Sequence, residues 1–195
     1  MNSDPVQDYI LEDENKMRTA AAVFNAWPEV RKKLVMGFLD RLERALRLKK
    51  ELKEGWEFER WGCPFEDGEA GFVFWKPAWK EEYYVNLYFG HRGQEVCFGL
   101  SREADKERIK KCSPCAELLT AVKEHYPSAT AYKWWEAWIS VQSLSVQPLA
   151  EDWGKPEVLW RMRDENEEFL DEVAEHLLQV AKISAPFVDQ LAAKD

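Results

Sequence analysis

Hydrophobic positions along the first quarter of the chain recur at helical spacing. Val6, Ile10, Met17, Ala21 and Phe24 fall on one series, and Trp27-Pro28 is expected to break it, since the residue before proline is pushed out of the α region. Pro28 suits the first residue of a new helix. That helix is predicted to run to about Lys53, with Val30, Leu34, Val35, Phe38, Leu39, Leu42, Ala45, Leu46 and Leu52 on one stripe and Gly55 as its stop. A helix of that length must lie across a sheet or pair with another helix.

From Trp56 the pattern changes to the two-residue alternation of strands. Trp56–Trp61 alternates, the segment 62–71 is turn-rich with Cys63-Pro64 and Asp67-Gly68, and Phe72–Trp75 reads as a strand closed by Pro77. Tyr83–Phe89 and Glu95–Leu100 form the clearest pair, joined by the hairpin loop Gly90-His91-Arg92-Gly93. The centre is therefore an antiparallel meander of about four strands. Helical pattern resumes at Glu103 and continues past Pro114 to His125, where Tyr126-Pro127 closes it. Residues 128–154 hold a tryptophan cluster and Val141–Val146, which has the composition of a further strand. Two acidic helices follow, about 156–164 and 166–192, the second with Phe169, Val173, Leu177, Val180 and Val188 inward. The fold class is α+β, a meander packed by long N- and C-terminal amphipathic helices. A helical segment (1–54) and a Trp-rich α+β domain (55–195) are expected to form one compact unit.

Composition narrows the class. With 195 residues, 46% hydrophobic and 32% charged, the chain reads as one globular domain able to bury roughly 70% of its unfolded surface. No stretch reaches the ~20 apolar residues of a membrane span, and Met-Asn-Ser-Asp-Pro lacks a signal peptide's basic and apolar regions, so a cytoplasmic location is expected. A net charge of −9 opposes bulk attraction to nucleic acid. The charge is uneven: between Glu29 and Glu54 nine basic residues face five acids, whereas Asp164–Glu175 is crowded with carboxylates. Solvated helix faces that lie against one another account for both. The sharper reading keeps the basic helix for phosphate or an acidic partner.

Ten tryptophans stand out. Burying one removes roughly 150–250 Å² from water, about 4–6 kcal/mol gross. Several are expected to frame a groove or partner surface, because Trp is seldom hidden completely and is enriched at binding centres. In Lys133-Trp134-Trp135-Glu136-Ala137-Trp138, residues 134 and 138 share a face on either a helix or a strand while 135 points elsewhere. Trp134 and Trp138 are thus expected in the core. The partner surface is assigned to Trp135 and Lys133, with Trp79 and the hairpin-loop residues His91 and Arg92.

Catalytic and metal motifs are sparse. Cys112-Ser-Pro-Cys115 has the spacing of a redox motif but follows a charged helical stretch instead of a strand. Joining it to Cys63 and Cys97 in a four-thiolate zinc site would match no common zinc spacing. Reduced, structural thiols are expected, with no metal and no cofactor. His91, His125 and His176 show no ligand or catalytic spacing, and His176 is expected to pair with a neighbouring carboxylate. Gly-rich phosphate loops and nucleophile elbows do not occur.

One ordered series remains: Gly71-Phe-Val-Phe-Trp75, Trp79, Tyr84-Val-Asn-Leu-Tyr-Phe89 and Val96-Cys-Phe-Gly-Leu100, then Trp134-Trp135, Trp153, Val158-Leu-Trp160 and an amphipathic helix. In this order, residues 55–192 resemble the Trp-rich region that follows the nuclease core in a group of PD-(D/E)XK-superfamily proteins of bacteria and phages. The resemblance implies an α+β accessory region. The nuclease chemistry needs two acids on neighbouring strands around Mg²⁺ and a lysine two residues after the second. Only Glu14-Asn-Lys16 and Glu51-Leu-Lys53 have that spacing, both in helical pattern, and Asp4-Pro5 reverses the expected order. We therefore expect a protein that is not an enzyme: a protein-interaction module of bacterial or phage origin, in antiviral defence or its inhibition. The alternatives are an acidic nucleic-acid mimic and a nucleic-acid-binding accessory domain.

Overall fold

The computed structural model describes residues 4–53, 55–80, 82–102, 115–132, 134–144, 152–163 and 166–193. Asp4 caps a short helix α1 (Pro5–Leu11), its carboxylate accepting from Val6 N at 2.9 Å, and Asp13 caps α2 (Glu14–Leu48) by accepting from Lys16 N at 2.9 Å. α2 spans 35 residues, about 52 Å at 1.5 Å per residue. It passes unbroken through Pro28, contrary to the break expected there. Proline forfeits the hydrogen bond to the carbonyl four residues back, here Phe24, and Phe24 lies on the solvent side where water can take that role. The buried stripe begins only at Val35 and continues through Phe38, Leu39, Leu42 and Leu46. Before it, Tyr9, Leu11, Met17, Val23 and Phe24 are exposed on an arm that extends from the core.

The sheet has six strands, all antiparallel: β1 (Glu57–Trp61), β2 (Glu69–Trp75), β3 (Tyr83–Gly90), β4 (Glu95–Arg102), β5 (Thr130–Tyr132) and β6 (Trp135–Ser140). Their order is β1-β2-β3-β4-β6-β5. The first four are the expected meander. The chain then returns through α3 (Cys115–His125) to add β6 beside β4, with β5 outside it. Where a strand was expected over 141–146, residues Val141–Ser143 form a 3₁₀ turn and 145–146 lie outside the described residues, as do 103–114, where helix was expected.

One face of the sheet is buried under helices. Phe72, Phe74, Val85, Leu87, Phe89, Phe98, Leu100, Ala137 and Ile139 alternate onto it. It packs with the C-terminal part of α2 and with α5 (Glu167–Ala192), whose Phe169, Val173, Leu177, Val180 and Val188 are buried as expected. The short α4 (Pro156–Arg161) adds Val158 and Leu159. Trp153 ties the layers together: its ring lies 6.0 Å from Phe38 of α2, 5.8 Å from Phe89 of β3 and 5.5 Å from Phe169 of α5. Such offset and edge-on aromatic pairs add about 0.5–1.5 kcal/mol each beyond area burial.

His176 of α5 belongs to this core and not to an ion pair. Its Nδ1 lies 2.9 Å from the Tyr126 hydroxyl and its ring packs on Phe98. Burial holds its pKa below the ordinary value. The unfolded chain therefore takes up a proton near pH 6.5 that the folded chain refuses, so stability is lost as pH falls through that region. The urea midpoint is expected to drop between about pH 7 and 5. His176→Phe should remove part of that drop, since the Tyr126 hydroxyl can still donate to the residue 176 carbonyl. An unchanged pH profile would show that His176 is not its source.

Candidate functional site

The opposite face carries no helix among the described residues. Strand alternation brings Glu59 and Trp61 of β1, Glu69 and Val73 of β2, Tyr84, Asn86 and Tyr88 of β3, and Glu95 and Ser101 of β4 to it. Thr130 and Tyr132 of β5 and Trp134, Trp135 and Trp138 complete an open groove of about 940 Å³. An aromatic row crosses its floor. The Trp61 ring lies 6.1 Å from Tyr88, and Tyr88 lies 6.2 Å from Trp135 in an edge-on pair. Gly71 permits the first contact, because a Cβ there would stand 2.5 Å from Trp61 Nε1. The indole can thus lie over β2 and reach Tyr88.

Trp135 and Trp138 share this face because of a β-bulge. Gly99 pairs with Trp138 and Leu100 with Ala137, but Ser101 pairs with Trp135, leaving Glu136 as the extra residue. The insertion reverses the alternation within three residues of chain. Glu136 is fully buried there, and Arg102 Nη1 reaches its Oε1 at 2.8 Å. A buried carboxylate requires such a partner.

The acidic groups of the groove come from three strands. Glu59, Glu69 and Glu95 line it, and burial together with the nearby Glu69 carboxylate pushes the Tyr88 phenol pKa up. His91 Nε2 sits 3.5 Å from Glu95. On the floor, Asn86 donates from Nδ2 to Ser101 Oγ at 3.3 Å, and Ser101 Oγ reaches the Tyr84 carbonyl at 3.4 Å. The Asn86 Oδ1 is buried without a hydrogen-bond partner. Burial pushes the pKa of the Cys97 thiol up.

Of the residues assigned to a partner surface, two line this groove. Trp135 is on its floor, 7% exposed, and His91 is at its edge. Arg92 is exposed in the hairpin turn, in the left-handed region at φ 58°, and does not line the groove. Lys133 lies outside the described residues. Trp79 is corrected: it is 2% exposed in the helix-covered core, and its Nε1 donates to Asp189 Oδ1 of α5 at 2.8 Å. The expectation for Trp134 also fails, since it is 41% exposed and Trp138 only half-buried, both on the groove instead of in the core. Trp61, Tyr88, Tyr132, Asn86 and Glu69 were not singled out. Their signal was the period-2 alternation of β1 to β3, which marks a second face without telling which one the helices cover.

The remaining candidates have structural partners. Glu14 pairs with Arg18, Lys16 with Glu12, and Glu51 with Lys182. Among the described residues, no three or more His, Cys, Asp or Glu converge as metal ligands. Burial and the neighbouring Glu66 push the Cys63 thiol up to about 11, away from the thiolate a reactive cysteine needs. Cys112 lies outside the described residues and Cys115 opens α3. On α2, Lys32 pairs with Glu66, Arg47 with Glu43, and the adjoining Lys49 with Glu175 of α5.

Truncating the two adjacent tryptophans should separate floor from rim. Trp135→Ala is expected to cost about 3–5 kcal/mol in urea unfolding, as large buried aromatics do. Trp134→Ala should stay within about 1 kcal/mol of the parent. Equal costs would refute the assignment of the two side chains. The chain matches no protein-family model, no curated protein and no solved structure, so its functional reading rests on the geometry of this face.

Proposed function

We propose that this protein is a non-catalytic binding module that takes a segment of another protein on the open face of its sheet. One observation carries the reading: the row Trp61–Tyr88–Trp135, extended by Trp134, Trp138 and Tyr132, lies in a groove of about 940 Å³. Large amphipathic rings that pack on one another and keep one surface free are the commonest anchors of protein recognition. The groove is of the size and mixed character that such sites have. The resemblance of residues 55–192 to an accessory region supports a partner in bacterial or phage defence, or in its inhibition. Nucleic acid fits the face poorly, because Glu59, Glu69 and Glu95 line it and phosphate binding needs unpaired basic groups.

Capture experiments that compare variants, not capture alone, test this. Trp61→Ala and Trp134→Ala alter side chains that are 37% and 41% exposed, so both should remain folded by circular dichroism. Each is expected to reduce recovery of a specific partner from cell lysate by about tenfold, the effect of removing one aromatic anchor worth about 1.4 kcal/mol. Phe24→Ser on the exposed arm should leave recovery unchanged. If Phe24→Ser abolishes capture while both groove variants retain it, the arm is the interface and this proposal fails.

A further inference from the structure

The groove's charge and its aromatic faces define what it can hold. Its carboxylates come from three different strands, Glu59 from β1, Glu69 from β2 and Glu95 from β4. Its described cationic groups are already engaged: Arg102 is held by the buried Glu136, and His91 stands beside Glu95. The aromatic faces present negative π density to anything between them. The uncompensated charge of the site is therefore negative, set beside the N–H and O–H groups of its aromatic rings.

The floor holds a separate polar group. Asn86 is 7% exposed, and its Oδ1 has no donor. Its neighbours across the sheet on the same face are Val73 of β2 and Gly99 of β4, and neither side chain can donate. Exchanging the amide's O and N would not remove the deficit, because Ser101 satisfies only one end of the group. A buried acceptor left unpaired costs roughly 1–3 kcal/mol, and this one lies four residues along β3 from Gly90, beyond the reach of a group held by Glu69 and Glu95.

We infer that the groove receives an arginine side chain of the partner segment, its guanidinium against the aromatic faces and its N–H groups directed to the Glu69 and Glu95 carboxylates, which both stand opposite Gly90 of β3. Guanidinium combines the three properties the site calls for: a positive charge, a flat face that stacks on indole or phenol, and five donors in a fixed fork. An ammonium supplies the charge without the flat face. A phosphate supplies neither charge nor donors. This inference rests on the open-face reading above and adds the chemical class of the occupant.

Short peptides identical except for a central Arg, Lys, Gln or Glu, titrated into the full chain and followed by calorimetry and tryptophan fluorescence, test it. The Arg peptide is expected to bind at least about tenfold more tightly than the Gln peptide, more tightly than the Lys peptide, and more weakly as salt is raised; the Glu peptide should not bind. Glu69→Gln and Glu95→Gln, both at accessible carboxylates, should each weaken the Arg peptide roughly three- to tenfold and leave the Gln peptide unchanged. Spermidine, a cation without a planar group, should bind more weakly than the Arg peptide. If Arg and Gln peptides bind equally while Trp61→Ala weakens both, the open face is a peptide site and the arginine inference is wrong. If spermidine or the Lys peptide matches Arg, the site reads charge alone and the inference is likewise overturned. Should no peptide bind and single-stranded DNA bind instead, the inference and the protein-binding reading fail together.

Discussion

The sheet presents two faces of large side chains, and the long helices described here cover one. The C-terminal part of α2 and the whole of α5 lie on the face of Phe72, Leu87 and Phe98, with Trp153 wedged between Phe38, Phe89 and Phe169. Antiparallel sheets tolerate this because one face can meet water. The cost depends on what stands there. Here it is Trp and Tyr, whose rings pack edge-on and tilted against one another and whose polar tips reach solvent or carboxylates. Val73, Trp75 and Trp135 are buried with no covering helix among the described residues, while the outer surfaces of Trp61 and Trp134 stay open. The face is ordered by its own contacts and is still available.

The bulge at Glu136 sets the composition of that face. In a regular strand, Trp135 and Trp138 would point to opposite sides, and one indole would have to fit beneath α5 against the tightly packed Ile139 and Ala137. The extra residue turns both toward the groove and drives a carboxylate into the interior in exchange. That exchange is tolerable only because Arg102, at the end of the neighbouring β4, reaches it. One ion pair thus allows the aromatic row to extend across β6.

Much of the covered half of the fold was legible in the sequence. The β3–β4 hairpin, the meander and the stripe of α5 follow from local period and turn chemistry, which act over a few residues. What escaped depends on longer range. Trp79 looked like an exposed anchor beside Pro77, yet its indole N–H is claimed by Asp189, 110 positions away. The continuity of α2 through Pro28 depends on which side of the helix faces water, and local pattern does not state it. The faces of Trp134 and Trp138 were misassigned because a bulge is a property of the pair of strands and not of one. A groove made from alternate residues of six strands was visible only as alternation.

The edges of the sheet determine how a partner chain can approach. A long, flat, uncharged edge would invite another strand to pair with it. Neither edge here has that form. β1 carries Glu57, Glu59 and Arg60, the last anchored to Asp40 of α2, and β5 is three residues long and shifts register against β6. Charge on one edge and brevity on the other disfavour pairing through backbone hydrogen bonds. Recognition is left to side chains on the face between them, where specificity comes from ring shape and from the sign of the surrounding charge. Glu59, Glu69 and Glu95 fix that sign, while Lys32 and Lys49 on the helix-covered side are paired with Glu66 and Glu175. The chain's excess of acid is therefore expressed where the aromatic rings are open.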